Sequence, residues 1–434
     1  MGPAADPPLH DSTRAVEAVW QVESTRVIAA LARMVRDLSF AEELAQDALV
    51  AALERWPVDG VPDNPGAWLL ATAKHRAVDI IRRRQVLQRK TTELGREVEQ
   101  RQSDDPGVDV DQLVLEQDFG GDDVLRLVFT TCHPVLSTKA RVTLTLRLLG
   151  GLTTDEIARA FLTTESTIAQ RIVRAKQQLS DARVDFEVPS GDERSERLGS
   201  VLEVVYLVFN EGYSATSGDD AIRPALCADA LRLGRVLAQL APDESEVHGL
   251  VALMEVQASR LGARTDSTGE IVLLLDQNRA RWDHLLVRRG LAALDRALET
   301  GAGSLGSYCL QAAIAACHAR AHTAEATDWH EIARLYAVLA SVVQSPVVEL
   351  NRAVAVSMAT GPADGLAIVD MLVDLPALTN YHLLPSVRGD LLFKLGRRDE
   401  ARVEFRRAAA MTANLREREL LERRITDCGA PEAH

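Results

Sequence analysis

The chain is poor in the residues that mark most specialised architectures. Aromatic residues fill only 4% of its 434 positions. Alternating Val, Ile, Thr and Tyr runs bounded by turn residues are scarce, so little in the chain argues for strands. Its five cysteines (Cys132, Cys227, Cys309, Cys317, Cys428) are scattered and odd in number, which argues against a disulfide framework. Cys309, Cys317 and His318 lack the second ligand pair that a zinc site needs, and neither metal nor other cofactor is expected. The most apolar stretch, "VLEVVYLVF" from Val201 to Phe209, is too short to span a bilayer and contains Glu203. The start, "MGPAADPPLHDSTR", has no basic-then-apolar leader pattern. A cytoplasmic protein with no membrane contact is expected.

What is abundant is helix-forming: Ala, Leu, Arg and Glu dominate, with 47% hydrophobic and 26% charged residues. The expected fold class is all-α, and the length allows two to four domains, each with its own core. Acidic residues outnumber basic ones 63 to 49, a net charge of −14, but the charge is unevenly placed. Lys74 to Lys90 holds seven basic residues against one acidic; Glu93 to Asp123 holds eleven acidic against two basic; Lys139 to Arg183 holds eight basic against four acidic. Two basic islands thus flank an acidic connector. Local potential within a Debye length of roughly 10 Å governs contact with a polyanion, so the net charge excludes no nucleic-acid partner.

Helical periodicity divides the chain. Val27, Leu31, Met34, Val35 and Leu38 form one apolar stripe; Leu44, Ala48, Ala51 and Ala52 form another, behind the acidic start "AEEL". "WPVDGVPDNPG", from Trp56 to Gly66, has three prolines and two glycines and predicts a loop. A helix is predicted from about Ala67 to Gln88, ending in the cationic "RRRQ". "REVEQRQSDDPGVDVDQL" is polar, acidic and broken by Gly and Pro, the composition of a flexible linker. Helical patterning resumes near Asp122 and runs to about Arg183, and a second break, "VDFEVPSGDERSER", precedes an Ala/Leu-rich C-terminal half. There "GPADGLAIVDML" and "GRRDEARVEFRR" align at a spacing of 35 residues, close to the roughly 34-residue tetratricopeptide period. A generic helical hairpin would leave the same trace.

"LTTDEIARAFLTTESTIAQRIVRAKQQL", from Leu152 to Leu179, reads as two short helices joined by a tight turn. Thr153 and Glu156 have capping-box spacing, and Thr164 can cap the second helix. In that helix Ile168, Ile172, Ala175 and Leu179 make a buried stripe, which leaves Ser166, Thr167, Ala169, Gln170, Arg171, Arg174 and Lys176 on or beside the exposed side. A helix fits the major groove, where Arg pairs with guanine edges or phosphates and Gln with adenine. Leu162 stands in the turn where such motifs usually place Gly.

"AEELAQDALVAALERW", "NPGAWLLATAKHRAVDIIRRRQ" and the Leu152–Leu179 stretch occur in this order within residues 13–183. Together they resemble regions 2 and 4 of bacterial RNA polymerase sigma factors of the extracytoplasmic-function class. The C-terminal motifs "VFNEGYSA", "DQNRARWD", "TDWHEIARLY" and "SPVVELNRAVAV" resemble the subgroup carrying a long tetratricopeptide-like extension. The resemblance implies a helical region 2 at 13–90, an acidic flexible linker at 91–121, a helix-turn-helix region 4 at 122–186, and a helical extension at 187–434, tetratricopeptide-like at least over 345–425. It implies an alternative sigma factor, not an enzyme, whose partners are promoter DNA and the clamp helices and flap of core RNA polymerase.

Carried onto this chain, the core contact falls on Glu42, Glu43, Gln46 and Asp47. The base-capture loop of the −10 element falls on Asp63 and Asn64, with Trp68 either a DNA contact or a core anchor. Lys74, His75, Arg76, Arg82, Arg83 and Arg84 would hold backbone phosphates, and the Leu152–Leu179 helix pair would read the −35 element. The linker, with Asp104, Asp105, Asp109 and Asp111, would imitate nucleic acid in a polymerase channel or serve as a solvated spacer.

The extension is expected to pack intramolecularly on the sigma domains and control them in cis, or to bind a peptide or protein. Asn210, Glu211, Tyr213, Gln311, Asn351 and Arg352 are polar residues in apolar context that could line a site or satisfy structural hydrogen bonds. Asp266, Glu270, Asp276 and His284 follow no metal spacing, and nothing marks a nucleophile or phosphate loop. The alternative reading is an operator-binding helix-turn-helix regulator with a ligand-sensing helical domain.

Overall fold

The computed structural model describes residues 9–94, 121–161, 163–213, 223–266, 272–412 (apart from 302 and 304) and 415–429. Every regular element among them is helical, and no helix among them is long and apolar enough to cross a membrane. The chain forms two compact units, Met1–Val204 and Val205–His434. Most of the linker, including Asp104, Asp105, Asp109 and Asp111, lies outside the described residues, as does Leu162.

The first unit opens with a bundle of α1 (Leu9–Val35), α2 (Leu38–Asp59) and α3 (Pro65–Leu94). Asp37 starts α2 by accepting from the Phe40 amide at 2.9 Å. Ala41, Ala45, Ala48 and Ala52 are fully buried along one side of α2, and side chains this small let α1, with its buried Val27 and Leu31, approach closely. The predicted loop from Trp56 is shorter than expected: α2 continues through Pro57 to Asp59 and ends on Gly60 at φ 84°. Pro57 is tolerated because it sits in the last turn, where buried Trp56 anchors the helix and its carbonyl accepts from the Gly60 amide at 3.0 Å. Helix α3 then starts on Pro65, whose missing N–H costs nothing at that position.

Four further helices follow: α4 (Gly121–Thr131), α5 (Thr138–Leu148), α6 (Thr154–Ala160) and α7 (Glu165–Asp181). The break predicted over 184–197 is also shorter than expected, because α8 (Gly191–Tyr213) begins inside it. Leu198, Val201, Leu202, Val204 and Val205 recur at helical spacing and are buried, so the polar start of α8 is the exposed first turns of an amphipathic helix. Arg197 donates to the Phe129 carbonyl at 3.0 Å, and Ser200 to that of Cys132 at 3.0 Å.

The second unit is a series of helical hairpins: α9 (Pro224–Leu240), α10 (Ser245–Ala258), α11 (His284–Thr300), α12 (Ser307–Arg320), α13 (Trp329–Val342), α14 (Pro346–Thr360), α15 (Pro362–Asp370), α16 (Leu383–Lys394), α17 (Arg398–Met411) and α18 (Leu415–Asp427). Ala252, Leu253, Val256, Leu294, Ala312, Ala315 and Ala316 form the core where α10, α11 and α12 meet. The aligned glycines of the 35-residue repeat, Gly361 and Gly396, both turn hairpins at positive φ, 125° and 76°. Cys227 and Cys309 are buried, and burial pushes both thiols up to about 12.

His318 is buried edge-on to Trp329, ring centroids 5.2 Å apart. Burial, then the charges of Arg260 and Arg279, pull its pKa down to about 4 from 6.5. The unfolded imidazole therefore takes up protons first, so this contribution to stability is whole above about 6.5 and is lost as the pH falls towards 4. Thermal melts between these values should show a steeper decline for the wild type than for His318→Gln; parallel declines would remove His318 as the cause.

Candidate nucleic-acid and polymerase interface

The helix pair α6–α7 forms as its caps dictate. The Thr153 hydroxyl accepts from the Glu156 amide at 3.2 Å while Glu156 accepts from the Thr153 amide at 2.7 Å, and Thr164 accepts from the Thr167 amide at 3.3 Å. Ile168, Ile172, Ala175 and Leu179 are buried, which turns Ser166, Thr167, Ala169, Gln170 and Arg174 to solvent. Arg171 is half-buried and donates to the Thr143 hydroxyl on α5 at 3.3 Å. Val173, which the sequence reading passed over, lies 67% exposed between Gln170 and Arg174. Its position off the buried stripe was the available signal, and an apolar side chain there suits a thymine methyl.

On α3, His75, Arg76, Arg82 and Arg83 are exposed and Lys74 is half-buried, while the Arg84 side chain lies outside the described residues. Arg76 pairs with Asp47 on α2, Nε to carboxylate at 3.2 Å, so one expected phosphate contact and one expected polymerase contact hold each other. Asn64 caps α3 through its Oδ1, which accepts from the Ala67 amide at 3.1 Å; Asp63 beside it is exposed. Trp68 is half-buried and stands edge-on to Trp56 at 5.4 Å, so it anchors the bundle while keeping part of its ring accessible.

On α2, Glu43 and Gln46 are exposed, but Glu42 is turned inward. Its carboxylate is held by Arg147 of α5, through Nε at 3.0 Å and Nη2 at 2.9 Å, and by the ammonium of Lys176 on α7. Gln46 donates to it at 3.5 Å. Between the same two portions the Thr25 hydroxyl donates to the Leu148 carbonyl at 3.3 Å, and Arg33 pairs with Asp123 at 3.1 Å. The first bundle and the helix-turn-helix portion are thus joined by a part-buried ionic contact. Arg147 was missed because its partner lies 105 residues away and no local pattern marks it. Among the described residues no group of three His, Cys, Asp or Glu is arranged to hold a metal ion.

Residues 21–86 match the Sigma-70 region 2 family model, residues 126–179 match Sigma-70, region 4, and residues 197–298 match a family of unknown function (DUF6596). An uncharacterized protein of Rhizobium meliloti (strain 1021) is 42% identical over 392 residues, covering 90% of each chain. The ECF RNA polymerase sigma factor SigK of Mycobacterium ulcerans (strain Agy99) is 32% identical over 152 residues, 34% of this chain and 74% of SigK. A tetratricopeptide repeat protein from Parabacteroides merdae aligns over 64% of this chain and 99% of its own, at 12% identity and a TM-score of 0.33, too weak a likeness to assign the extension to that fold.

Proposed function

The chain belongs to the extracytoplasmic-function RNA polymerase sigma factors, and we propose that it rests in a self-closed state that core polymerase must open before a promoter is read. The family implies core RNA polymerase and promoter DNA as partners and transcription initiation as the activity. The carrying observation is the Glu42 contact. It sets an expected polymerase-facing residue against Lys176 of the expected recognition helix, so each surface is partly occupied by the other.

On this reading Ser166, Thr167, Ala169, Gln170, Arg171, Val173 and Arg174 meet the −35 element, with Lys176 joining once its bond to Glu42 opens. Asp63, Asn64 and Trp68 serve the −10 element, and Lys74, His75, Arg76, Arg82, Arg83 and Arg84 its phosphates. Glu42, Glu43, Gln46 and Asp47 meet core polymerase. The extension controls the sigma regions in cis, in the cytoplasm, and has no catalytic part.

Gel shifts with a promoter fragment selected by the holoenzyme from random DNA test the reading. Full-length protein should shift the fragment with core polymerase and not without it; tight binding without core would favour the operator-binding alternative. A version ending at Val204 keeps the Arg197 and Ser200 bonds and should change transcription in vitro by roughly 5–150-fold, the range of ordinary regulatory coupling. Unchanged transcription would end the cis-regulation proposal.

A further inference from the structure

Arginines in the second unit commonly sit against carboxylates: Arg223 on Glu211, Arg235 on Glu255, Arg388 on Asp370 and Glu404, Arg424 on Asp390. Three that lie together do not. Among the described residues no carboxylate lies within ion-pair distance of Arg260, Arg264 or Arg279, in a chain with 63 acidic residues to 49 basic. They interleave with two aromatic rings instead. The Arg264 guanidinium lies 4.0 Å from the Tyr213 ring centroid, and that of Arg260 lies 5.8 Å from the centroids of both Tyr213 and Trp282. Arg279 lies 5.1 Å from the Trp282 ring centroid. Such stacking holds a guanidinium in place and leaves its N–H edge free to donate.

Arg279 uses that edge structurally, donating to the carbonyls of His318 and Ala321 and to the Thr327 hydroxyl. Arg264 does not, and Arg260 has only a hydrogen bond with the Tyr213 phenol. Arg260 interacts with the phenols of Tyr213 and Tyr336 and is opposed by Arg264. Glu417 is the carboxylate that acts on Arg264 from a distance, and it already accepts from Thr412 and faces His382. Buried polar atoms without a hydrogen-bond partner gather at the same place: Nε of Arg260, Arg264 and Arg279, Oε1 of Gln257, and Nε1 of Trp282. Clustered like charges with unanswered donors are costly unless an anion completes them.

We propose that Arg260 and Arg264, braced by Tyr213 and Trp282, form a binding site in the extension for a small anion carrying a carboxylate or phosphate group. The site falls within the 197–298 segment that matches a family of unknown function. It does not depend on the self-closed reading of the sigma regions, since binding is measured directly. A planar, forked donor suits both anion types, and two adjacent guanidinium groups favour more than one negative charge.

Full-length protein titrated calorimetrically at constant ionic strength, with inorganic pyrophosphate in one arm and citrate in the other, tests the site. Saturable binding of either anion is expected, with a rise in melting temperature as it binds; the arm that saturates identifies the chemistry. Arg264→Gln should weaken that binding about tenfold or more while leaving the ligand-free melting temperature unchanged or higher, because it relieves repulsion from Arg260. Arg260→Gln should weaken it likewise, and if that variant misfolds the half-buried Arg264 carries the test. No saturation in either arm, or equal titration of Arg264→Gln and wild type, would overturn the proposal. So would a lower ligand-free melting temperature for Arg264→Gln without anion binding in the wild type, which would make the arginine structural.

Discussion

Arg147→Gln should give a protein that binds −35 promoter DNA in the absence of core polymerase, where the self-closed wild type should not. Arg147 lies on neither the expected DNA surface nor the expected polymerase surface, so the change acts through the contact alone. It removes both guanidinium bonds to Glu42, at 3.0 and 2.9 Å, and the bond to the Leu152 carbonyl at 3.2 Å. Removing one member of a buried ion pair typically costs about 3–5 kcal/mol. Arg147 and Glu42 keep 23% and 10% of their side-chain surface, so the lower end, about 3 kcal/mol, applies here. Each 1.4 kcal/mol is a factor of ten, so this corresponds to roughly two decades in the closed-to-open ratio. Glu42 is then held by Lys176 alone, so α7 is tied to the first bundle more weakly and is freer to meet DNA.

Two measurements separate opening from general damage. X-ray scattering should show a larger radius of gyration for Arg147→Gln, while the helical circular dichroism stays at the wild-type level. Adding Glu42→Gln to Arg147→Gln should raise DNA affinity by less than Glu42→Gln does alone, because the Arg147 bonds are already gone and only the Lys176 bond remains to be lost. Additive effects of the two substitutions, or an unchanged radius with unchanged DNA binding, would rule out the closed state.

How much of this was legible in the sequence depended on how far apart the interacting residues lie. The caps at Thr153 and Thr164 were legible because a cap and its amides are three residues apart. The stripe of Ile168, Ile172, Ala175 and Leu179 was legible because periodicity is local. Pro57 and the polar start of α8 misled the reading: composition marks a break, whereas the anchoring of Trp56 and the burial of Leu198 and Val201 decide whether the helix continues. Tyr213 was noted as a polar residue in apolar context, yet nothing local tied it to Arg260 and Arg264. The Glu42–Arg147 contact and the bond from the Tyr308 amide of α12 to the Glu246 carboxylate of α10 join residues 105 and 62 positions apart. Each of these residues looks like an ordinary surface charge until the fold brings its partner to it.

That Glu246 contact locates a position in the extension that is sensitive to a single methyl group. Its carboxylate accepts from the Tyr308 and Cys309 amides, at 2.9 and 3.0 Å, and so caps α12 from α10. One turn along α10, Gly249 meets the same residue: a Cβ there would lie 2.7 Å from the Cys309 amide nitrogen, 2.7 Å from its Sγ and 2.9 Å from its Cα. These are mostly backbone atoms already tied to Glu246, so no side chain can swing away and the helices themselves must part. Gly249→Ala should therefore destabilise the extension by about 1–3 kcal/mol, the usual cost of overpacking, despite a gain of about 1 kcal/mol in helix propensity. Gly199 supplies the contrast, since it lies inside α8, is exposed, and a Cβ there meets nothing within 4 Å. Gly199→Ala should keep the propensity gain and stabilise by about 0.5–1 kcal/mol. Urea melts followed by circular dichroism should move the two midpoints in opposite directions. If both variants are stabilised, α10 and α12 do not approach as closely at Cys309 as the structure places them.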